Sequence, residues 1–551
     1  MPQRAVQPRA TRLATYLSLL LVVAVLIPYL GSATLALAGT PSGPLKAQSQ
    51  LLQLASAQPA ATVSVIVQKA GAGSSLEAMV SDLGGHVTQN LSIINAFSAE
   101  LPASAVRQLA SAEEVRWVSL NAAVVDTGNP GNGNGGGNNR GSGSGGGPTT
   151  NPCPVCIDTS NLQNAYVRAV GADRLWNEPP YLQGQGVTVA VLDSGITNHR
   201  DLKENPGGSG PTRTLTDTLF NSFTFEVAEK DKYGHGTHVA GIIGGNGAQS
   251  QGAYIGIAPR VNLLNVKIGD DVGKGTTADV VAGLQWVYEN KDLYNIRVVN
   301  LSLNSSVPES YLNSPLSAAI EILWFNGIVV VASAGNNGLG AGNGILYPPA
   351  NDPFVITVGA TDDRGTANIG DDVVATYSAF GVTAEGITKP DLVAPGTNII
   401  SLLAKKDSDL DRLHRNRRIA GNYFRMSGTS MSAPVVAGAV ALLLQDEPGL
   451  TPDQVKYRLM ATARPMSQPG AGAGLLDTYA AVHGATTESA NTGTQVTPLL
   501  FTGDDAVAWE SVNWGSVNWG SVNWGSVNWG SVNWGSVNWG TVNWGSTYWG
   551  P

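Results

Sequence analysis

Cysteine is almost missing from this chain of 551 residues: only Cys153 and Cys156 occur, both inside the run CPVC. Two thiols cannot build a disulfide framework or, without further ligands, a zinc centre. A redox pair would need a strand-to-helix setting, whereas this one follows a glycine tract, which leaves a local disulfide or two inert thiols. Charge is scarce as well. Asp, Glu, Lys and Arg make up 13% of the residues, and the formal net charge is −9, so no basic footprint for nucleic acid exists. Histidine numbers six. What abounds is glycine, with 67 residues, in a chain that is 42% hydrophobic. Such a composition describes a soluble, mildly acidic protein with room for several domains.

The sequence changes character along its length. Arg4, Arg9 and Arg12 precede LATYLSLLLVVAVLIPYLGSATLALAG, which ends in Ala36-Leu37-Ala38. Positive flank, apolar run and small-residue site read as a secretory signal over residues 1–38. An uncleaved membrane anchor is the alternative, which Pro28 and the cleavage site argue against. Export follows either way. A polar spacer, 39–61, leads into 62–126, where TVSVIVQK, SSLEAMVSDLGG, HVTQNLSI, INAFSAEL, PASAVRQLASAEE and VRWVSLNAAVV give strand, helix, strand, strand, helix, strand. That order is the split βαβ or ferredoxin-like arrangement, a small α+β domain. Residues 127–150 are nearly all Gly, Asn and Ser, which cannot bury a core and form a flexible, easily cut tether.

Residues 151–486 alternate helical patterns with strands such as GVTVAVLD, RVNLLNVKI, IRVVNLSL, GIVVVASAGN and FVITVGAT. Strands rich in Val and Ile on both faces belong to a parallel sheet covered by helices, so a doubly wound α/β fold is expected. After a linker, 487–508, the tail 509–551 repeats SVNWG and sets a Trp every five residues from Trp509 to Trp549. A step of five turns about 140° on a helix and switches faces on a strand, so only a coil advancing one repeat per side or turn would align the indoles. Structural filler, surface attachment and carbohydrate contact all suit exposed indoles.

In an open parallel sheet, reactive groups gather beyond the carboxyl ends of strands. Asp193 ends VTVAVLD, Asn336 follows VVVASAG, Ser302-Leu303-Asn304 closes VVNLSLN, and His235 opens the helix HGTHVAGIIGG. Ser430 heads the long apolar run TSMSAPVVAGAVALLL, among Gly428, Thr429 and Ala433. A serine hydroxyl is a poor nucleophile unless an imidazole takes its proton, and that imidazole needs a carboxylate to fix its tautomer. Asp193, His235 and Ser430 supply those types, and a helix N-terminus adds N–H groups for an oxyanion. Taken singly, each is more ordinarily a turn, a cap or a loop residue. Their joint placement at strand and helix ends is what singles them out. His238 is expected to pack or bond within its helix, and His86 and His483 lie outside these motifs.

The motifs VLDSGI, HGTHVAG, ASAGN and GTSMSAPVVAG resemble those of the subtilisin-like serine peptidases, over roughly Gly186 to Leu476. The resemblance implies a secreted or extracellular endopeptidase acting on polypeptides through an acyl-enzyme. It implies Asp193 as orienting carboxylate, His235 as general base and acid, Ser430 as nucleophile and Asn336 as side-chain oxyanion donor. It sets Gly273, Lys274 and Gly275 of GKGTTADVVAGLQW along one side of an extended substrate and Ser302, Leu303 and Asn304 along the other. The family usually has glycine where this chain has Asn304, which implies a primary pocket of different depth and preference, unless Asn304 merely fills a left-handed backbone position. Asp201 in NHRDL matches a family ligand for structural calcium, with Asn246 as a candidate partner; no cofactor is implied for the chemistry. The run KKDSDLDRLHRNRR ahead of Ser430 reads as a solvated loop.

By the same resemblance, residues 62–126 look like an inhibitory propeptide that assists folding and lays its end in the active site. Processing is then expected near VSLNAAVV or in the tether. A different class of protein also fits the sequence: a surface-binding protein whose tail matters most, touching cell surface or polysaccharide, with the peptidase-like domain serving only self-processing.

Overall fold

A computed structural model describes residues 45–126, 128–129, 155–205, 207–221, 231–338 and 347–500. The signal segment, nearly all of the tether and the repeat tail lie outside them. The stretch expected to be a plain spacer carries a helix, α1 (Ser49–Ala57), because Leu51 and Ala55 fall one turn apart and are both buried. After it come β1 (Thr62–Lys69), α2 (Ser75–Asp82), β2 (His86–Leu91), β3 (Ala96–Pro102), α3 (Val106–Ala110) and β4 (Val115–Leu120). The sheet order is β2-β3-β1-β4, and each neighbouring pair is antiparallel. Strand period decides what each face covers. Val63, Val65 and Val67 of β1 join Leu51, Leu76, Val80 and Leu109 in a core under the helices. Ile66, on the opposite face, joins Leu91, Ile94 and Ala96 in the core of the larger domain that follows.

That larger domain is built on β7 (Thr188–Asp193), β8 (Thr214–Asn221), β9 (Asn262–Lys267), β11 (Ile296–Leu301), β13 (Val329–Ser333), β14 (Ile356–Asp362), β15 (Val373–Val374) and β16 (Leu392–Pro395). The sheet runs β15-β14-β13-β11-β7-β9-β8, with β16 also on β14, and all pairs but β14 with β15 are parallel. Chain order reverses about β7, so a crevice opens where β7 and its neighbours end. Every residue of β7 and β13 is buried, as double coverage requires. The covering helices include α4 (His235–Gly244), α5 (Thr277–Asn290), α6 (Pro315–Phe325) and α7 (Thr429–Asp446). Helix α7 is apolar nearly all round and is buried from Thr429 to Leu444, the pattern of a helix enclosed by other elements.

Two further elements depart from expectation. Residues 495–500, expected to be linker, are packed: Thr497 N–H donates to Glu321 Oε2 at 2.9 Å, and Val496, Leu499 and Leu500 are buried. Cys156 is disulfide-bonded, which removes the inert-thiol reading.

Candidate functional site

Asp193, the last residue of β7, and His235, the first of α4, meet in the crevice. His235 Nδ1 lies 2.8 Å from Asp193 Oδ1 and 3.0 Å from Oδ2, and both residues are buried. The approach is close because residue 236 is glycine: a Cβ there would lie 2.3 Å from the carbonyl oxygen of Gly195 and 3.0 Å from Asp193 Cβ. Helix α4 is anchored by Asp231, which the sequence reading passed over. Its Oδ1 accepts from Gly234 N–H at 2.6 Å, and its Oδ2 accepts from Thr237 N–H at 2.9 Å and Thr237 Oγ1 at 2.8 Å. An acid just ahead of a helix start is a legible signal for satisfying free N–H groups.

Ser430 lies in the first turn of α7. Its hydroxyl donates to the carbonyl oxygen of Ser302 at 2.9 Å, and Ser302 Oγ donates back to the carbonyl of Ser430 at 3.0 Å. His235 Nε2 is buried and has no hydrogen-bond partner among the described residues. The hydroxyl and the imidazole are thus not bonded to each other in this state. Beside Ser430, Asn336 Oδ1 accepts from Thr429 N–H at 3.0 Å and Thr429 Oγ1 at 3.1 Å, which fixes Nδ2 as the donor end of that amide.

The end of the N-terminal domain runs into this crevice. Strand β5 (Ala123–Asp126) lies between β10 (Gly275–Thr276) and β12 (Leu303–Ser305), antiparallel to both. Gly275 pairs with Val124, Asn304 with Val125 and Leu303 with Asp126. Beyond it, β6 (Gly128–Asn129) pairs with β17 (Tyr423–Gly428), opposite Ser427 and Gly428. Asp126 brings the site together: its backbone pairs next to Ser302, which holds Ser430, and its Oδ1 is 3.8 Å from His235 Nδ1. Burial disfavours the imidazolium of His235, but the charges of Asp193 and Asp126 outweigh that and push its pKa up to about 9. Burial also raises Asp126, to about 7, against the pull of His235.

Gly273 and Lys274 do not pair with β5. They form a turn in which Asp270 N–H donates to the carbonyl of Lys274 at 2.7 Å, and Gly273, at φ 78°, lies against the ring of Tyr233. Asn304 has an extended backbone within β12 rather than a left-handed one. Its Nδ2 donates to Ser333 O at 3.1 Å, while its Oδ1 is buried without a hydrogen-bond partner among the described residues. It lines a cavity of about 220 Å3 together with Ser305, Gly335, Asn336, Tyr347 and the strand residues Val125 and Asp126.

The Subtilase family description matches residues 184–492, more than half of the 551. The chain belongs to the subtilase family. Among curated subtilases, serine protease AprX of Bacillus subtilis (strain 168) is 42% identical over 284 residues, covering 50% of this chain and 61% of that protein. Subtilisin Savinase of Lederbergia lenta is 33% identical over 301 residues, covering 54% of this chain and 92% of that one. The chain therefore spans less than two thirds of the length of AprX. Among solved structures, fervidolysin from Fervidobacterium pennivorans, described as a keratinolytic enzyme related to subtilisin, superposes with a TM-score of 0.57 at 25% identity, over 77% of this chain and 61% of its own. Separately, residues 511–550 match pentapeptide repeats in eight copies.

Asp201 and Asn246 of this subtilase, the residues expected at structural calcium, both have hydrogen-bond partners within the protein. The Asp201 carboxylate is buried, and both oxygens accept hydrogen bonds, Oδ1 from Gln249 N–H at 2.8 Å and Oδ2 from Tyr423 OH at 2.7 Å. Asn246 donates Nδ2 to Lys203 O at 2.8 Å, and its Oδ1 accepts from Ala248 N–H at 3.1 Å. His238 bonds outside its own helix: Nε2 lies 3.0 Å from the carbonyl oxygen of Phe424, and burial lowers its pKa to about 3. The run 405–418, expected to be a solvated loop, carries a short helix, Asp409–Leu413, and buries Asp411 against Arg418 Nε at 2.8 Å. It also braces the residues ahead of His235, with Leu410 N–H donating to Tyr233 O at 3.1 Å.

Proposed function

We propose that this subtilase is a secreted serine endopeptidase, made as a self-inhibited precursor, that hydrolyses polypeptides through an acyl-enzyme. The observation that carries the reading is the buried pair of Asp193 and His235, with Nδ1 held at 2.8 Å, beside a serine at the head of a core helix. Released from Ser302 O, the Ser430 hydroxyl gives its proton to His235 Nε2 as Oγ bonds the substrate carbonyl carbon. Asp193 holds the imidazole and offsets its positive charge. Asn336 Nδ2 and the N-terminus of α7 face the oxyanion. Collapse of the tetrahedral species breaks the C–N bond, and His235 returns the proton to the leaving amine. Water then repeats the sequence on the ester.

Strand β5 occupies the place of an extended substrate, which supports residues 62–126 as the inhibitory segment. Because β5 ends at Asp126 and β6 begins at Gly128, we place the self-cleavage between those strands. The test is to incubate the purified protein and its Ser430→Ala variant with an unrelated unfolded protein. Degradation by the parent alone supports the endopeptidase. Loss of nothing but self-cleavage in the variant favours a binding protein that acts through its pentapeptide tail.

A further inference from the structure

Outside its pairing in the crevice, the N-terminal domain also touches residues 495–500. Residues 495–500, the last described before the repeats, are held from two sides. On one side are groups of the larger domain: Tyr311 OH donates to Gln495 O at 2.8 Å, Thr497 Oγ1 to Leu312 O at 2.7 Å, and Thr497 N–H to Glu321. On the other are groups of the small domain. Gln68 Nε2 donates to Leu499 O, and Arg116 Nη1 donates to Pro498 O at 3.0 Å and Leu500 O at 3.1 Å. The partition follows the sequence: 495 and 497 bond to the larger domain, while the carbonyls of 498, 499 and 500 bond to the small one. Val496, Leu499 and Leu500 belong, with Ile66 and Ile94 of the small domain, to the core cluster that the two domains share.

Buried carbonyls need donors. The bond to Leu499 O is buried, that to Leu500 O half-buried and that to Pro498 O exposed, so departure of the small domain strips the donor above all from the Leu499 carbonyl. We infer that residues 498–500 are a further docking partner of the N-terminal domain, which clamps the root of the repeat tail while it stays bound and frees it on departure. Binding linkage makes the clamp reciprocal, so the tail root in turn helps to retain the small domain. Gln68 is suited to this by its place on the β1 face opposite Val65 and Val67, where it also donates to Ile94 O at 2.8 Å.

The test uses the full chain carrying Ser430→Ala, so that neither measurement depends on hydrolysis and the peptidase reading can fail without affecting it. In this background Gln68→Leu with Arg116→Met removes the donors while keeping side-chain bulk. Hydrogen exchange at Thr497, Leu499 and Leu500 is expected to quicken about 10-fold or more, with amides of β1 and β13 unchanged. Unchanged exchange at 497–500 overturns the clamp. As a second measurement, a chain ending at Gly493 is nicked in the tether by an added protease. Its small domain is expected to dissociate about 10-fold faster than from the full chain, and an equal rate overturns the reciprocal claim.

Discussion

Asp126 Oδ1 sits 3.8 Å from the same imidazole nitrogen of His235 that Asp193 holds at 2.8 Å. Strand β5 therefore brings its own carboxylate to His235, the general base of the proposed mechanism. A nearby negative charge favours the imidazolium, and a protonated imidazole cannot accept a proton from Ser430. Self-cleavage of the precursor should accordingly rise as pH climbs through about 9, where His235 deprotonates. Asp126→Asn removes one of the raising charges, so the midpoint moves to lower pH and processing at pH 8 quickens. The gap between the two chains narrows below about pH 7, where Asp126, its pKa raised by burial, becomes neutral itself. Following the cleaved fragment on gels across pH 6–10 checks this, and coincident midpoints would refute it.

Asn336 is aimed by Thr429, whose N–H and hydroxyl both bond its Oδ1. Replacing it with leucine keeps the bulk and removes the donor. Turnover is expected to fall roughly 100- to 1,000-fold with KM little altered, because an oxyanion donor acts mainly on the transition state. Steady-state kinetics on a peptide substrate read the split; a change confined to KM would assign Asn336 to ground-state binding.

What could be read from the chain was local. Asp193 and Asn336 stand where short apolar runs stop, and His235 and Ser430 where helical runs begin; such ends are visible in one stretch of sequence. The small domain's strands were likewise visible through their period. Asp126 gave no such sign, because its importance comes from pairing with Leu303, far along the chain. The same holds for residues 495–500, which look like linker until Gln68 and Arg116 are placed against them. Gly273 and Lys274 were misplaced by a residue or two, since only the turn closed by Asp270 decides which of the glycines reaches the strand.

Asp231 holds the start of α4 through three bonds, to Gly234 N–H, Thr237 N–H and Thr237 Oγ1. Asp231→Ala leaves these buried donors without an acceptor, at a cost of about 2–4 kcal/mol in stability. His235 begins that helix, so turnover should fall as well, although Asp231 touches no substrate. Urea denaturation of the Ser430→Ala chain with and without the change measures the first effect. Asp231→Asn, which keeps an acceptor oxygen, should recover part of the stability; no difference between the Asn and Ala variants would remove the capping explanation.

Asn304 narrows the cavity beside Asn336 and brings a buried acceptor to its wall. Its Nδ2 is committed to Ser333 O at 3.1 Å, which fixes the amide and leaves Oδ1 as the group a substrate must satisfy. A side chain carrying an O–H or N–H donor satisfies it. An apolar side chain of similar size does not, and a site built around a buried polar group rejects such analogues strongly. With the residue just before the cut bond varied alone, substrates bearing Ser, Thr, Asn or Gln should exceed those bearing Leu or Met in kcat/KM by roughly 10-fold or more. Asn304→Gly removes the acceptor and deepens the cavity, so the order should reverse toward the larger apolar residues while the Ser430-dependent reaction persists. Measuring kcat/KM over that substrate set for both proteins decides the matter: an unchanged order in the glycine variant would mean that selectivity is set elsewhere in the cavity, by Ser305 or Tyr347 rather than by Asn304.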